Sequence, residues 1–511
     1  MSETLDIYLR AHTVVLDEPK RPMRGKNRPP GNLVKWPELA LVFHCESRTD
    51  VSQGLTVGFY RLLKLKADSY VLEEEGAFFD DELPADELEV LETRLRTAVP
   101  DITSFPPRFP LHSRSEFVKN VFYRYARKGA LIVGFNICYA LSRIARKWTT
   151  GDKDEWSLVL SEYPDGKENL YHPRVLIEPI DSKKSFLRFR SEWVPKGGQA
   201  KRTDIYKSRF LDLRTLLWAL FHKPLSLKTA CEIQAFKKYD LPQTLDYTPT
   251  GQVSVPEIEY ARQNARCIAA LLSAAKREFD LHPIQLSPAK TYSPASLAKA
   301  YLNEMGIVPP SQKFNVPNEI LGIAMESYTG GRSETKIRHV EVPVVPVDFT
   351  SEYPTICALL NLMEILTAQS LTFEDATTEV RKLLDALTLD KCFNRELWLE
   401  FRFFALVMPD GDILPVRTMY NGFTQNIGNN YLTSDKPIWV AGPDVINSVI
   451  QTGKVPRIVR ALKLIPHGRQ PGLRPVHLRG AVTIDPRRDD LFRKVMRSAS
   501  GTSPTKSSTT G

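Results

Sequence analysis

The strongest constraint on the fold is an alternation of short apolar segments with helical segments between residues 37 and 277. The predicted elements are a meander of three strands, then a helix and a fourth strand, at residues 39–43, 57–63, 69–72, 115–127 and 131–135. Because helices that alternate with strands pack over the faces of a sheet, this region predicts a mixed α/β sheet with helical cover.

The rest of the chain is divided by its turn residues and by its helical periodicity. Helices are predicted at 211–221 and 255–277, and residues 278–320 hold several Pro and Ser and one helix that begins with Ser293 as its N-cap. We therefore expect a basic flexible lead-in, an α/β domain, a connector, a second domain and a disordered tail, at residues 1–36, 37–277, 278–320, 321–497 and 498–511.

The composition is that of an ordinary globular protein with a mild basic excess, a net charge of +9. Lys and Arg that neutralise phosphates release condensed counterions, so this excess favours a polyanionic partner. The six cysteines are scattered without a Cys-x-x-Cys pair, which argues against a zinc ribbon or a disulfide framework. No apolar run is long enough to span a bilayer and the N-terminus is polar, so the sequence predicts a cytoplasmic protein without a membrane partner.

The segment Asp-Phe-Thr-Ser-Glu-Tyr-Pro, which begins at Asp348, carries the first chemical signal. An apolar strand predicted at 343–347 delivers the carboxylate to its end, and the chain then turns into a helix predicted at 356–362. Phosphoryl transfer needs hard oxygen ligands that hold Mg²⁺ against the phosphates, and a strand-end aspartate supplies one rigidly. The alternative is that Asp348 only caps the following helix and that Tyr353 only fills space.

This segment resembles motif A of family B DNA polymerases, whose pattern is Asp-x-x-Ser-Leu-Tyr-Pro-Ser. All the spacings match, while Glu352 replaces the usual Leu and Thr355 the usual Ser. The resemblance implies that Asp348 is a catalytic ligand of Mg²⁺ in a polymerase palm, and that Ser351 and Tyr353 contact the incoming nucleotide. It also implies that DNA template-primer and dNTPs are the partners.

A second motif, Tyr-Thr-Gly-Gly-Arg, lies about twenty residues upstream of Asp348. Paired glycines let a backbone approach a phosphate closely, and an adjacent arginine neutralises it. Alone, a Gly-Gly turn is only a turn. Its position resembles the Tyr-x-Gly-Gly element with which these polymerases hold the template, and this implies DNA contacts for Tyr328, Gly330, Gly331 and Arg332.

Three further segments resemble the motifs of the ribonuclease H-like 3′–5′ exonuclease that family B polymerases carry. The first ends the strand at 39–43, the second follows the strand at 131–135, and the third lies on the helix at 255–277. The residues at the matching positions are His44, Glu46, Asn136, Ala140, Tyr260 and Asn264. The implied fold is an α/β, ribonuclease H-like exonuclease domain followed by a partial α+β polymerase palm.

The chemical groups of this exonuclease-like site depart from the family. Its four metal carboxylates correspond here to His44, Glu46, Ala140 and Asn264, and only Glu46 is an acid. Two-metal hydrolysis needs several anionic oxygens to concentrate two hard cations, so the sequence predicts an inactive exonuclease. The open alternative is a remodelled nuclease in which Glu46 and the imidazole of His44 bind Zn²⁺ or Mn²⁺.

The remaining polymerase motifs have no match. No Asp-Thr-Asp occurs, and no fingers helix with Lys, Asn and Tyr-Gly follows. A β-hairpin predicted over residues 401–417 carries Asp410 and Asp412 at its tip, in a Pro-Asp-Gly-Asp sequence typical of a turn. The order of the parts leads us to expect truncation before the fingers, with a second chain carrying the missing motifs.

The sequence thus predicts a family B DNA polymerase-like protein, directed to template-dependent DNA synthesis by ancestry. Its proofreading domain is expected to be inactive and its polymerase site incomplete. The alternatives are a non-catalytic DNA-binding relic and a subunit of a split polymerase.

Overall fold

A computed structural model describes most of the chain. The described residues are 7–8, 35–101, 109–151, 155–181, 184–190, 193–196, 199–202, 206–207, 209–335, 337, 339–347, 352–420, 424–479 and 482–492. They form two compact units. The first, here called the N-terminal unit, consists mainly of residues 30–301, and the second, the C-terminal unit, mainly of residues 302–476.

The elements up to residue 304 alternate between strands and helices. In chain order they are β1 (Ile7–Tyr8), β2 (Leu39–Ser47), β3 (Leu55–Lys66), β4 (Ser69–Phe79), α1 (Ala85–Thr97), β5 (Leu111–Ser113), α2 (Arg114–Glu116), a π-helical turn (Phe117–Phe122), α3 (Tyr123–Arg127), β6 (Leu131–Gly134), α4 (Ile137–Ile144), β7 (Lys147–Thr150), β8 (Trp156–Val159), β9 (Val175–Asp181), β10 (Lys184–Phe189), β11 (Trp193–Lys196), β12 (Gln199–Arg202), β13 (Phe210–Asp212), α5 (Leu213–Phe221), α6 (Leu227–Glu232), a 3₁₀ turn (Gln234–Tyr239), α7 (Val255–Asp280), a 3₁₀ turn (Pro288–Lys290) and α8 (Pro294–Glu304).

The elements after residue 304 are fewer and less regular. They are α9 (Pro310–Lys313), α10 (Asn318–Glu326), α11 (Glu352–Leu359), α12 (Leu362–Thr367), β14 (Ser370–Asp375), α13 (Thr377–Asp385), α14 (Leu389–Cys392), a 3₁₀ turn (Arg395–Phe401), β15 (Phe403–Met408), β16 (Asp410–Tyr420), β17 (Thr424–Thr433), β18 (Ile438–Ala441), α15 (Gly442–Thr452), β19 (Arg457–His467), β20 (Val476–Leu478) and β21 (Val482–Ile484).

A six-stranded mixed sheet organises the N-terminal unit, with strand order β13-β6-β2-β3-β4-β5. The strands β2, β3 and β4 form an antiparallel meander. Strand β6 pairs parallel to β2, and β13 pairs parallel to β6. The prediction of a mixed α/β sheet is therefore confirmed, and the order of its strands follows from a hairpin meander plus two helix-linked parallel strands.

Helices cover both faces of this sheet. On one face, Phe43 packs against Phe117 and Phe122 of the π-helical turn, with ring centroids 5.9 and 6.1 Å apart. On the other face, Val57 and Phe59 pack against α1 and α7. Because both faces are covered, nine consecutive residues of β3 are buried rather than alternating between core and solvent.

The C-terminal unit contains two antiparallel sheets, ordered β14-β19-β15-β18 and β1-β16-β17. The predicted hairpin over residues 401–417 is wrong: β15 pairs with β18 and β19, whereas β16 pairs with β17 and β1, so the chain passes from one sheet to the other at Pro409. Asp412 is not at an exposed turn, because its side chain is fully buried and accepts a hydrogen bond of 2.9 Å from the backbone N–H of Asp410.

The predicted strand at residues 343–347 is also wrong, since these residues form an exposed, unpaired segment. Its sequence explains the outcome. Pro343 and Pro346 have no backbone N–H to contribute to a ladder, so they weaken any pairing of this segment. Among the described residues, no helix is long and apolar enough to cross a membrane.

Candidate functional site

The end of β2 places two sequence-predicted residues side by side. His44 Nε2 lies 2.8 Å from Glu46 Oε1, and the two side chains are 19% and 11% exposed. The register between β2 and β3 shifts between Cys45 and Ser47, so a β-bulge lies at Glu46. Bulges re-aim a side chain at the end of a strand, and here the bulge lies within the His44–Glu46 pair.

Helix α7 adds Asn264 to this pair. Asn264 is buried, and its Nδ2 lies 3.4 Å from His44 Nε2. His44 is the cross-strand partner of Phe59, whose ring belongs to the face covered by α7, so the sheet register directs His44 toward the helix. Residues from β2 and α7 that are 220 positions apart in the sequence thus meet in one small polar cluster.

A buried ion-pair network holds α7 against the sheet next to this cluster. Arg262 donates two hydrogen bonds to Glu75 of β4, at 3.1 and 3.0 Å, and a third of 2.8 Å to the carbonyl of Val99. Arg61 of β3 contacts the same carboxylate at 3.3 Å. Since Arg262 lies two residues before Asn264, the network fixes the part of α7 that faces His44.

Asp101 extends this network toward solvent. Burial raises the pKa of Asp101, but hydrogen bonds from Arg266 and Arg61 outweigh it, and the pKa of this carboxyl lies below its ordinary value. The cluster at His44 is therefore flanked by a carboxylate pair that is committed to arginines and is not free to bind a cation.

The second predicted exonuclease segment lies on the other side of β2. Asn136 adopts a left-handed conformation with φ +62° just before α4 and donates its backbone N–H to Asp212 Oδ1 at 3.1 Å. Ala140 belongs to the apolar cluster with Leu41 and Phe43, and its carbonyl lies 3.8 Å from the Cys45 thiol. The structure therefore places Ala140 in the core rather than with His44 and Asn264.

Cys45 and Ser47 complete the contacts of β2 with α4. Burial, followed by the charge of Glu46, raises the pKa of the Cys45 thiol far above its ordinary value. Ser47 and Tyr139 share a hydrogen bond of 2.6 Å. Cys45 is thus an inert core thiol, and Tyr139 rather than Ala140 is the residue of this segment whose side chain makes a polar contact with β2.

Tyr260 lies one helical turn before Asn264 on α7 and packs against Tyr247, with ring centroids 5.4 Å apart. Tyr247 in turn donates a hydrogen bond of 2.8 Å to Glu257. Tyr260 is half-buried, so the structure uses its ring to seat the loop that leads into α7.

Asp212 is a polar residue to which the sequence analysis gave no role. It ends β13 and caps α5, where its Oδ1 accepts the backbone N–H of Arg214 at 2.9 Å. Burial raises the pKa of Asp212 to about 6, against the backbone N–H groups of Asn136, Arg214 and Thr215, which lower it. The sequence predicts a helix at 211–221, and an Asp at the second position of that range is the N-cap signal that could have found it and moved the start of the helix to Leu213.

In the C-terminal unit, the Tyr-x-Gly-Gly segment lies along β17. Ser333 exchanges backbone hydrogen bonds of 2.8 and 2.9 Å with Ile427, and the guanidinium of Arg417 in β16 donates a hydrogen bond of 2.6 Å to the carbonyl of Thr329. Gly330 has φ +97°, a conformation that favours glycine. The segment is therefore held in place by backbone contacts.

The side chains of this segment have different surroundings. Tyr328 is 58% exposed, and Arg332 pairs with Glu334 through a hydrogen bond of 3.0 Å from its Nε. Tyr353 is 76% exposed in the first turn of α11, and a Cβ at Gly331 would lie 3.5 Å from its hydroxyl. The structure thus brings Tyr353 next to the Gly-Gly turn, while Asp348 and Ser351 lie outside the described residues.

The polar side chains that the structure brings together at the end of β2 do not form a ligand set for Mg²⁺. Within the parts of the chain that the structure describes, no group of three or more His, Cys, Asp or Glu side chains is arranged to hold a metal ion. At the end of β2 only Glu46 offers a carboxylate, and its partners are an imidazole and an amide. Mg²⁺ demands octahedral oxygen ligands, so this cluster supplies too few.

No protein-family model matches the chain, and a search of the curated proteins found no similar protein. The geometry of the two units is therefore the basis for any functional conclusion.

Proposed function

We propose that the chain is a family B DNA polymerase-like protein whose N-terminal unit is a ribonuclease H-like, exonuclease-derived module that binds DNA without hydrolysing it. The observation that carries the proposal is the meeting of His44, Glu46 and Asn264 at the end of the central strand β2. These positions were chosen from sequence motifs 220 residues apart, and their proximity is independent support for the motif assignment.

The strand order gives further support. A three-stranded antiparallel meander, extended on the side of its first strand by two parallel strands, is the arrangement expected of a ribonuclease H-like sheet. Motif residues of such a domain are expected at the end of the first strand and on the last helix across the sheet, and β2 and α7 are these elements here.

The loss of hydrolysis follows from the charges. Hydrolysis of a phosphodiester by two metal ions places several carboxylates around two cations that activate water and stabilise the leaving oxygen. One carboxylate hydrogen-bonded to His44 leaves the cations without most of their ligands. The module retains the shape of a nuclease, and we infer that its remaining role is to hold a DNA strand.

A second candidate function is DNA synthesis in association with another chain that supplies the missing palm and fingers motifs. The proximity of Tyr353 to Gly331 favours it, because two separate polymerase-like motifs then share one surface of the C-terminal unit. Asp348 as the Mg²⁺ ligand and Ser351 as a nucleotide contact remain predictions from the resemblance. Primer extension by the chain mixed with its partner, abolished by Asp348→Ala, is the result that would support this function.

A cytoplasmic setting is part of the proposal. None of the six cysteines forms a disulfide, which supports a reducing compartment.

DNA binding tests the first proposal. We expect the protein to bind a fluorescein-labelled single strand in the presence of EDTA, and to lose affinity steeply as salt rises, because no metal is needed for binding and phosphate contacts release counterions. The measurement is fluorescence anisotropy between 50 and about 300 mM salt. Absence of binding at the lowest salt, with a folded protein by circular dichroism, would refute the proposal.

A further inference from the structure

An open groove lies on the outer side of the helical segment formed by α2, the π-helical turn and α3. Its volume is about 700 Å³. Its lining includes four cationic side chains and three rings: Lys119, Arg124, Arg127, Lys128, Tyr123, His172 and Tyr206. The groove is separate from the cluster of His44, Glu46 and Asn264.

The groove is positively charged, and no acid among the described residues pairs with its cations. All four cationic side chains are exposed, and no acidic residue lines the groove among the residues that the structure describes. None of the four forms an ion pair with a described residue, whereas other cations of the N-terminal unit do, such as Arg114 with Asp80 and Arg174 with Glu168. Uncompensated charge in a concave surface raises the local concentration of anions.

The imidazole of His172 and the carboxylate of Glu168, which lie near the groove, do not change the positive charge of its four cations. Burial, and then the charge of Lys119, lowers the pKa of His172 to about 4, so this ring is neutral at pH 7. It stacks on Tyr123, with ring centroids 4.2 Å apart. The charge of Glu168 acts on Tyr123, and the Glu168 carboxylate is held by Arg174 at 2.6 Å.

The groove and the His44 cluster lie on opposite faces of the same sheet. The apolar side of the helical segment presents Phe117 and Phe122 to Phe43, and its polar side forms the groove. His44 points to the other face, which α7 covers. A strand in the groove would therefore not enter the degenerate nuclease centre.

The spacing of the cations fits one phosphodiester strand. Arg124, Arg127 and Lys128 lie three and four residues apart, so they share one face of the helical segment. Lys119 lies in the π-helical turn five residues before Arg124, which is the spacing that a π-helical hydrogen bond spans, and it lines the same groove. With a rise of 1.5 Å per residue, the four cations extend over about 13–14 Å. A line of charges of this length follows a single backbone, whereas binding to a flat anionic surface would favour charges spread in two dimensions.

We propose that this groove is a second nucleic-acid site, which binds the backbone of single-stranded DNA through Lys119, Arg124, Arg127 and Lys128. The proposal rests on the proposed function for the identity of the polyanion. The groove contacts phosphates and not base edges, so it holds a strand irrespective of sequence. A protein with such a site retains DNA after its nuclease centre has lost the ability to bind metal.

The cations near the end of α3 also have a simpler role, since positive charges stabilise the C-terminus of a helix. That role predicts a lower melting temperature for neutral variants and no effect on DNA. The two roles are therefore separated by measuring stability and DNA affinity on the same variants.

The test uses the full chain with all four cations neutralised, K119Q/R124Q/R127Q/K128Q. The matched control removes four exposed cations elsewhere on the same unit that form no ion pair with a described residue, K223Q/K237Q/K238Q/K299Q, so the two variants have equal net charge. The probe is a fluorescein-labelled 30-nucleotide oligo(dT), and the readout is anisotropy against salt.

We expect the groove variant to bind at least roughly 30-fold more weakly at 100 mM salt, with a slope of log K against log salt that is smaller by about 2 to 3, since each contact contributes about 0.7 for a single strand. The control should lose less than about threefold. The double variant K119Q/R127Q, which retains the two cations nearest Tyr125, should lose about half of the slope and serves if the quadruple variant melts early.

Four results would overturn the inference. Equal loss in the groove and control variants would show that only net charge matters. Tighter wild-type binding to a blunt duplex than to the single strand would refute the assignment to one strand. If the groove variant binds the single strand as tightly as the wild type does, only the groove proposal is refuted. If the wild-type protein does not bind DNA, both the proposed function and the groove proposal are refuted.

Discussion

The most specific structural prediction concerns Glu75, which lies in β4 and is 1% exposed. Its carboxylate receives two hydrogen bonds from Arg262 and contacts Arg61 at 3.3 Å, and the side chains of both arginines are less than 10% exposed. The substitution Glu75→Gln keeps the size and shape of the side chain but removes its charge. Among the described residues, Asp101 is then the remaining ion-pair partner of the two buried guanidinium groups.

The expected cost follows from this arrangement. Removing one partner of a buried ion pair leaves an uncompensated charge and costs about 3–5 kcal/mol. For a unit of this size, each kcal/mol lowers the melting temperature by about 2–4 °C, so we expect a decrease of roughly 6–20 °C. The loss should be greatest around α7, because Arg262 is the residue that ties this helix to β4.

The matched control is Glu73→Gln on the same strand. Glu73 pairs with Lys66 at 2.8 Å, but both side chains are at least a third exposed. Solvent screens such a pair, so the melting temperature should change by less than about 2 °C. Thermal unfolding followed by circular dichroism measures both variants, and equal shifts for the two would refute the role assigned to the buried network.

Three further predictions concern Asp212, Gly251 and the pair of His44 and Asn264. The stability of Asp212→Asn relative to the wild type should be greater at pH 7 than at pH 4, by up to about 3 kcal/mol. The pKa of Asp212 is raised to about 6, so the stability that the protonated acid contributes is full below the pKa of the unfolded chain and is lost as the pH rises through 6. A parallel pH dependence of the unfolding free energy in the two proteins would contradict this. Gly251→Ala should destabilise the N-terminal unit by at least about 1 kcal/mol more than Gly166→Ala. Both glycines have positive φ, but a Cβ at Gly251 would lie 2.5 Å from the backbone nitrogen of Thr49, whereas a Cβ at Gly166 would have no atom within 4 Å. Denaturant titration of the two variants measures the difference in unfolding free energy. The double variant His44→Asp/Asn264→Asp adds two carboxylates beside the existing one, so Mn²⁺ should raise its melting temperature by several degrees and leave that of the wild type unchanged; no response in a folded variant would contradict the site geometry.

Local sequence patterns predicted the parts of the fold that depend on nearby residues. The meander β2-β3-β4 follows from three apolar runs separated by turns, and α7 follows from a long helical periodicity with Ser254 as its cap. The helix predicted at 255–277 appears as α7, extended by three residues at its end. In each case local propensity and tertiary packing agree.

Long-range pairing explains most of the errors. Residues 401–417 contain two strand-like runs around a turn sequence, and their separation into two sheets depends on β18, β19 and β17. The four-stranded sheet of β7 to β10 was not predicted, because its strands are partly exposed and carry polar residues, as at Lys147 and Glu178. No local pattern reports these partners.

The candidate site also contains some residues that the sequence could identify and others that only the structure reveals. The motif residues His44, Glu46 and Asn264 could be chosen from the sequence, since resemblance supplied the long-range information that periodicity lacks. The pairing of Glu75 with Arg262 could not, because the two residues are 187 positions apart and the resemblance gives a role to neither. The placement of Ala140 in the apolar cluster also required the structure.

The central claim is that the N-terminal unit retains the architecture of a nuclease and binds DNA without cutting it. The most direct measurement is a time course of a 5′-labelled single strand with the wild-type protein in Mg²⁺ and in Mn²⁺, resolved by denaturing electrophoresis under conditions where binding is saturated. The account predicts that the bound strand stays at full length. A ladder of shortened products that disappears in Glu46→Gln would contradict it.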